Sequence, residues 1–208
     1  SLEQAAGVRS TSLTAYLALT RVAGLKAGEW VLVTGASGGV GGLGTQIAKA
    51  LGAKVITTVG SRAKYEKAQT LGANYVVDLS SENLEETVRR VTDGRGVDVA
   101  LDSLGGEIAG PVLAAMAPSG RLVMVGYSAG AVSSINIFNL LKPVSIHGFN
   151  LFAMPGEALG AAYEQIRAWL AGGTVRAVVD RVFPLAQAVE AHRYAASRQP
   201  FGRVVLTI

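Results

Sequence analysis

Six glycines fall within the ten positions 35–44 of "VLVTGASGGVGGLG", directly after an apolar run and directly before a helical pattern. Glycine costs about 1 kcal/mol relative to alanine inside a helix and weakens strands as well. A stretch this rich must need backbone without side chains, which limits the folds open to the chain. The run "WVLVTG" (30–35) is continuously apolar and bounded by turn residues, as in a strand buried on both faces. Behind the glycines, Val40, Leu43, Ile47, Ala48 and Leu51 recur at helical spacing, and Gly52 stands where a helix should stop.

The same alternation continues to the far end of the chain. Strands are predicted at 54–59, 75–77, 96–102, 120–126 and 144–149. Helices are predicted at 61–73, around 83–91, around 107–116, at 157–170 and at 185–197. Strands alternating with helices at this spacing predict a doubly wound parallel α/β sheet of the Rossmann type. In such a sheet the first strand–helix turn is where a dinucleotide pyrophosphate meets a helix N-terminus. Gly35 then allows the tight turn, Gly38 and Gly39 keep side chains away from the phosphates, and Gly41 lets the helix approach the strand. Gly42 and Gly44 lie inside the helix and are read as packing positions.

Composition removes several classes. The chain has 208 residues, 50% of them hydrophobic, enough for a substantial core. It has no cysteine, so disulfide scaffolds and thiolate metal sites within it are excluded and a reducing, cytoplasmic setting is expected. No apolar run spans a bilayer, and no charged leader with an apolar core opens the chain. A net charge of +4 with 6% aromatics lacks the clustered cations and stacking platforms of a nucleic-acid face. His147 and His192 cannot make a zinc site without further ligands. "TGASGGVG" also fits the turn of short-chain dehydrogenases, but no tyrosine has a lysine four positions later, the pair those enzymes require.

"GASGGVG", "QIAKALGAKVITTVGS", "GRGVDVALDSLGGE", "GRLVMVG" and "FGRVVLTI" together resemble the quinone oxidoreductase (zeta-crystallin-like) branch of the medium-chain dehydrogenase/reductase superfamily. The resemblance runs from about Thr14 to the C-terminus and covers only the cofactor-binding half of that family. It implies hydride transfer from NADPH to a quinone, enone or other small activated carbonyl compound, usually without zinc. It also implies that Ser37, Gly38, Gly39 and Val40 carry the pyrophosphate. By the same resemblance, Ser103 and Leu104, then Val125, Gly126 and Tyr127, then Phe149 line the nicotinamide end. Catalytic residues are not assigned; Asp102 is expected to brace a loop rather than to act as an acid.

Cofactor choice is read at the end of the second strand. NAD-selective sites place an acid there, about twenty residues past the glycines. This chain has Gly60, Ser61, Arg62 and Lys64, with no carboxylate before Glu66, a set suited to a 2′-phosphate. Leu79 stands where many relatives have a tyrosine near that phosphate. The expected organisation is a linker helix over 1–24, the dinucleotide-binding domain over 25–172, and a segment over 173–208 returning to a β-rich domain outside this chain. An enoyl reductase module of a polyketide synthase and a non-catalytic nucleotide-binding module are the alternative functions. The sixth strand should lie at a sheet edge with little to protect it, so a homodimer through residues 142–152 is expected.

Overall fold

The computed structural model describes residues 1–208. Two short helices open the chain, α1 (Leu2–Ala6) and α2 (Arg9–Leu17), the second running into a π-helical turn over Ala18–Val22. Then follow β1 (Trp30–Val33), α3 (Gly39–Ala50), β2 (Lys54–Val59), α4 (Tyr65–Gln69), β3 (Tyr75–Asp78) and α5 (Leu84–Val91). The second half has β4 (Val97–Asp102), α6 (Ala109–Ala114), β5 (Met116–Met124), β6 (Ser145–Gly148) and α7 (Gly156–Ala171). The chain closes with β7 (Val179–Pro184), α8 (Ala188–Ala196) and β8 (Arg203–Thr207).

The first six strands form one parallel sheet in the order β3-β2-β1-β4-β5-β6. It is the expected doubly wound Rossmann-type arrangement. Successive residues of a strand face opposite sides, so a strand covered on both sides is a nearly continuous apolar run. Val31 and Val33 of β1 pack with Leu19, Leu43 and Ile47 on one side. Leu32 packs with Ile56, Leu122, Val88 and Leu113 on the other. Each such fully buried side chain contributes about 1.5–3 kcal/mol. Gly44 permits close docking of α3, since a Cβ there would lie 2.9 Å from Leu101 Cδ2 on β4. No helix is long and apolar enough to cross a membrane.

Two predicted spans differ in detail. The strand expected at 120–126 begins at Met116, which pairs with Val97 before a register break, and it ends at Met124. The helix expected at 61–73 is a 3₁₀ turn over Arg62–Lys64 followed by the short α4. Ser61 is extended and makes no side-chain cap bond, so the first turn tightens instead of starting as an α-helix.

The segment 173–208 docks on this same domain. Its strands β7 and β8 pair with each other, outside the large sheet. Phe201 is buried among Ala36, Val59, Ala68, Leu71 and Val76. Gly202 N–H donates to the Ser37 carbonyl at 2.9 Å. Gln46 on α3 accepts from Arg176 N–H and donates to the Arg176 carbonyl, pinning the entry to the segment. Val182, Leu185, Val189 and Leu206 stay exposed on its outer side.

Candidate functional site

Strand order reverses between β1 and β4, and a crevice opens there past the carboxyl ends of the strands. Three strands hold the glycine turn at its edge. Gly35 N–H donates to Thr58 Oγ1 at 2.9 Å and Ala36 N–H to the Thr58 carbonyl at 2.8 Å, both from β2. On the β4 side, Ser103 Oγ donates to the Thr34 carbonyl at 3.1 Å. Gly35 has φ +73°, a conformation that glycine adopts without penalty. A Cβ on Gly41 would lie 2.0 Å from the Gly35 carbonyl oxygen, so only a bare backbone lets α3 start this close to the strand.

The turn leaves donors free. Gly38 N–H is spent on the Gly35 carbonyl at 2.9 Å, but the N–H groups of Ser37, Gly39, Val40 and Gly41 have no acceptor within the chain. These are the orphan donors of a helix N-terminus, at the positive end of its dipole. A side chain at Gly39 would also meet this chain itself, with a Cβ at 2.8 Å from the movable end of Arg203, Nη1, and 3.0 Å from Thr11 Cγ2. Gly38 is the open position, where a Cβ meets only the Gly35 carbonyl oxygen at 3.3 Å.

A cleft of about 900 Å³ runs from this turn along the ends of β2 and β4. It brings together Gly35, Ser37, Gly38, Gly39, Gly60, Ser61, Lys64, Ser103 and Leu104 of the predicted residues. Val40, Gly41, Arg62, Val125, Gly126, Tyr127 and Phe149 do not line it. Arg62 lies over the Tyr65 ring, 4.2 Å from its centre, and Tyr127 is 74% exposed. Gly126 packs on the Ser103 carbonyl, and Phe149, partly buried, packs against the cluster formed by α2 and α7. Leu79 reaches the cleft and adds an apolar surface.

Sequence reasoning missed the opposite wall. Arg198, Pro200, Gly202, Arg203 and Val204 line the cleft from the C-terminal segment. Neither arginine takes part in any of the chain's ion pairs. The Arg203 stem passes Gly7, where a Cβ would lie 2.8 Å from its Cγ, and its guanidinium ends beside Gly39. An unpaired cation at the positive end of a helix is unfavourable until an anion joins it. The local signal was present: "SRQPFGR" sets two cations around a proline and a glycine in a loop.

Lys64 links the walls. Its Nζ donates to the Arg198 carbonyl at 2.5 Å and to Ser37 Oγ at 3.5 Å. Burial draws the ammonium below the ordinary lysine value, and the charge of Asp180 opposes that shift. Lys64, Arg198 and Arg203 thus line the cleft with no Asp or Glu among its lining residues. Asp102 is fully buried and accepts from Thr34 Oγ1 at 2.7 Å and Leu104 N–H at 2.9 Å, bracing the loop after β4. His147 Nε2 meets Ser145 Oγ at 3.0 Å on β6, while His192 sits on α8. No cluster of three metal-ligating side chains exists in the chain.

Comparison with known proteins matches residues 39–171 to the family described as zinc-binding dehydrogenase. A quinone oxidoreductase of Pseudomonas aeruginosa is 35% identical over 98% of this chain, which covers 64% of that protein. A phenolphthiocerol/phthiocerol polyketide synthase of Mycobacterium tuberculosis is 36% identical over 94% of the chain, which covers 9% of that protein. Among solved structures, Escherichia coli quinone oxidoreductase complexed with NADPH superposes with a TM-score of 0.91 at 33% identity. That match covers all of this chain and 66% of the other.

Proposed function

The chain belongs to the zinc-binding dehydrogenase family, in the medium-chain dehydrogenase/reductase superfamily, and from that premise we propose that it is the NADPH-binding half of a quinone oxidoreductase-like reductase. The observation that carries this reading is one cleft lined by three cations and no carboxylate beside a turn with four unused N–H donors. The N–H groups of Ser37, Gly39, Val40 and Gly41, with Arg203, suit a pyrophosphate. Lys64, Arg198 and Ser61 suit a 2′-phosphate, with room beside Gly60, where a Cβ would meet nothing within 4 Å. An acid at that position would instead favour the free 2′-hydroxyl of NADH.

When bound, NADPH supplies the hydride, and the chain's own part is to hold and orient it. Ser103 and Leu104 follow the cleft toward the loops after β5 and β6, where Val125–Tyr127 and Phe149 border the nicotinamide position in this reading. Those loops are open to water, Phe152 being 94% exposed. A hydride site needs water excluded. A catalytic zinc takes three protein ligands, and the residues of this chain do not by themselves offer such a set. The chain spans 64% of the length of the Pseudomonas relative. The 208-residue chain should therefore bind NADPH and reduce a simple quinone poorly or not at all; robust turnover would show the substrate site to be misplaced.

The polyketide synthase relative, at 36% identity, supports a second reading as an enoyl reductase module. The discriminating assay offers NADPH with a simple quinone or with an enoyl thioester to the polypeptide that carries this chain. Faster oxidation with the quinone supports the first reading, and faster oxidation with the thioester supports the second. Saturable NADPH binding with neither activity supports a binding module. The open edge of β6, with Ile146 44% exposed, supports a homodimer through residues 142–152, because paired edges satisfy their backbone groups. Sedimentation of the Ile146→Lys variant as a monomer beside a dimeric parent tests it, and a monomeric parent at tens of micromolar rejects it.

A further inference from the structure

We propose that Lys64 couples recognition of a 2′-phosphate to the hold on residues 197–202 along the cleft, so that NADP+ tightens this strap and NAD+ does not. The proposal rests on the reading of the cleft as a pyridine-dinucleotide site. The strap touches the site at two points. At one end the Lys64 ammonium holds the Arg198 carbonyl at 2.5 Å. At the other, Gly202 N–H donates to the Ser37 carbonyl at 2.9 Å, from a residue whose own N–H is left for an anion. Between them Phe201 is buried, and its N–H donates to Asp180 Oδ1 at 3.2 Å.

Arg198 is the weak point of this strap. Its φ of +60° is a conformation that residues other than glycine seldom adopt and that persists where neighbours enforce it. The Lys64 bond is the contact that holds its backbone, while its guanidinium has no ion-pair partner. An ammonium has three donors, so with two directed at Arg198 and Ser37 one remains for a ligand. A 2′-phosphate binds that donor and the Arg198 guanidinium together. Residue 198 is then held through its carbonyl and through its side chain. A 2′-hydroxyl makes neither charge-assisted bond, so NAD+ leaves the strap as it is in the free chain.

Amide hydrogen exchange tests this in the 208-residue chain saturated with NADP+ or with NAD+. The amides of Gln199, Phe201 and Gly202 should exchange about tenfold more slowly with NADP+ than with NAD+. The amides of Ser37 and Gly39 should be slowed by both. In Lys64→Gln, at saturation, the strap amides with NADP+ should exchange as they do with NAD+, while Ser37 and Gly39 stay slowed. Equal slowing of the strap by both nucleotides, or a Lys64→Gln strap that still distinguishes them, overturns the coupling. Absence of saturable binding of either nucleotide overturns the site assignment beneath it, a result that a titration reports separately.

Discussion

The two walls of the cleft are built by different means. The wall formed by β1, β2 and the start of α3 works through backbone: a bare turn, a helix N-terminus and N–H groups with no acceptor. The wall formed by residues 195–204 works through side-chain charge, with Arg198 and Arg203 brought in from far along the chain. In the proposed reading the backbone cradle, joined by Arg203, binds the part shared by all pyridine dinucleotides. Arg198 of the charged wall, together with Lys64, would separate those that carry an extra phosphate from those that do not. In that reading affinity and selectivity rest on different residues of one crevice, and substitutions can pull them apart.

The largest effect is expected on the backbone side. Gly38→Val should abolish binding of both NADPH and NADH with little loss of fold, because its Cβ meets only the Gly35 oxygen at 3.3 Å within the chain. Titration of both nucleotides, with a denaturant melt as control, checks this; normal binding would remove the turn from the site. Arg203→Ala comes next. It should weaken both nucleotides alike by about 1.5–3 kcal/mol, the worth of a hydrogen bond to a charged group. Stability should change by under ~1 kcal/mol, because the guanidinium has no ion pair to lose. A loss confined to NADPH would instead move Arg203 to the selective group. Lys64→Ala should cost NADPH about 1–3 kcal/mol and leave NADH nearly unchanged. Equal losses for the two nucleotides would break the division between shared and selective contacts.

The same division explains what was legible in the sequence. The glycine turn is local: a strand, a turn and a helix adjacent along the chain, whose spacing states the geometry directly. Gly35, Ser37, Gly38, Gly60, Ser61 and Ser103 all follow from the order of strands, since each stands at or just past the carboxyl end of β1, β2 or β4. Periodicity likewise gave the six strands and the helices between them. Arg198 and Arg203 reach the site only because Phe201 inserts beside β2 and Gly202 pairs with Ser37, contacts between distant parts of the chain. No period encodes such contacts. Arg62 stands apart for a related reason. It has the right charge next to Gly60, but the 3₁₀ turn sends it onto Tyr65, while Lys64 two residues later faces the cleft.

The central claim is that this cleft is a site for a dinucleotide bearing a 2′-phosphate. Calorimetric titration of the 208-residue chain with NADPH and with NADH, in the same low-salt buffer, measures it directly. The account predicts that NADPH binds at least about tenfold more tightly, a difference of ~1.4 kcal/mol or more, and that added salt narrows the gap as it screens the exposed cations. Equal dissociation constants for the two nucleotides, or a preference for NADH, would contradict it.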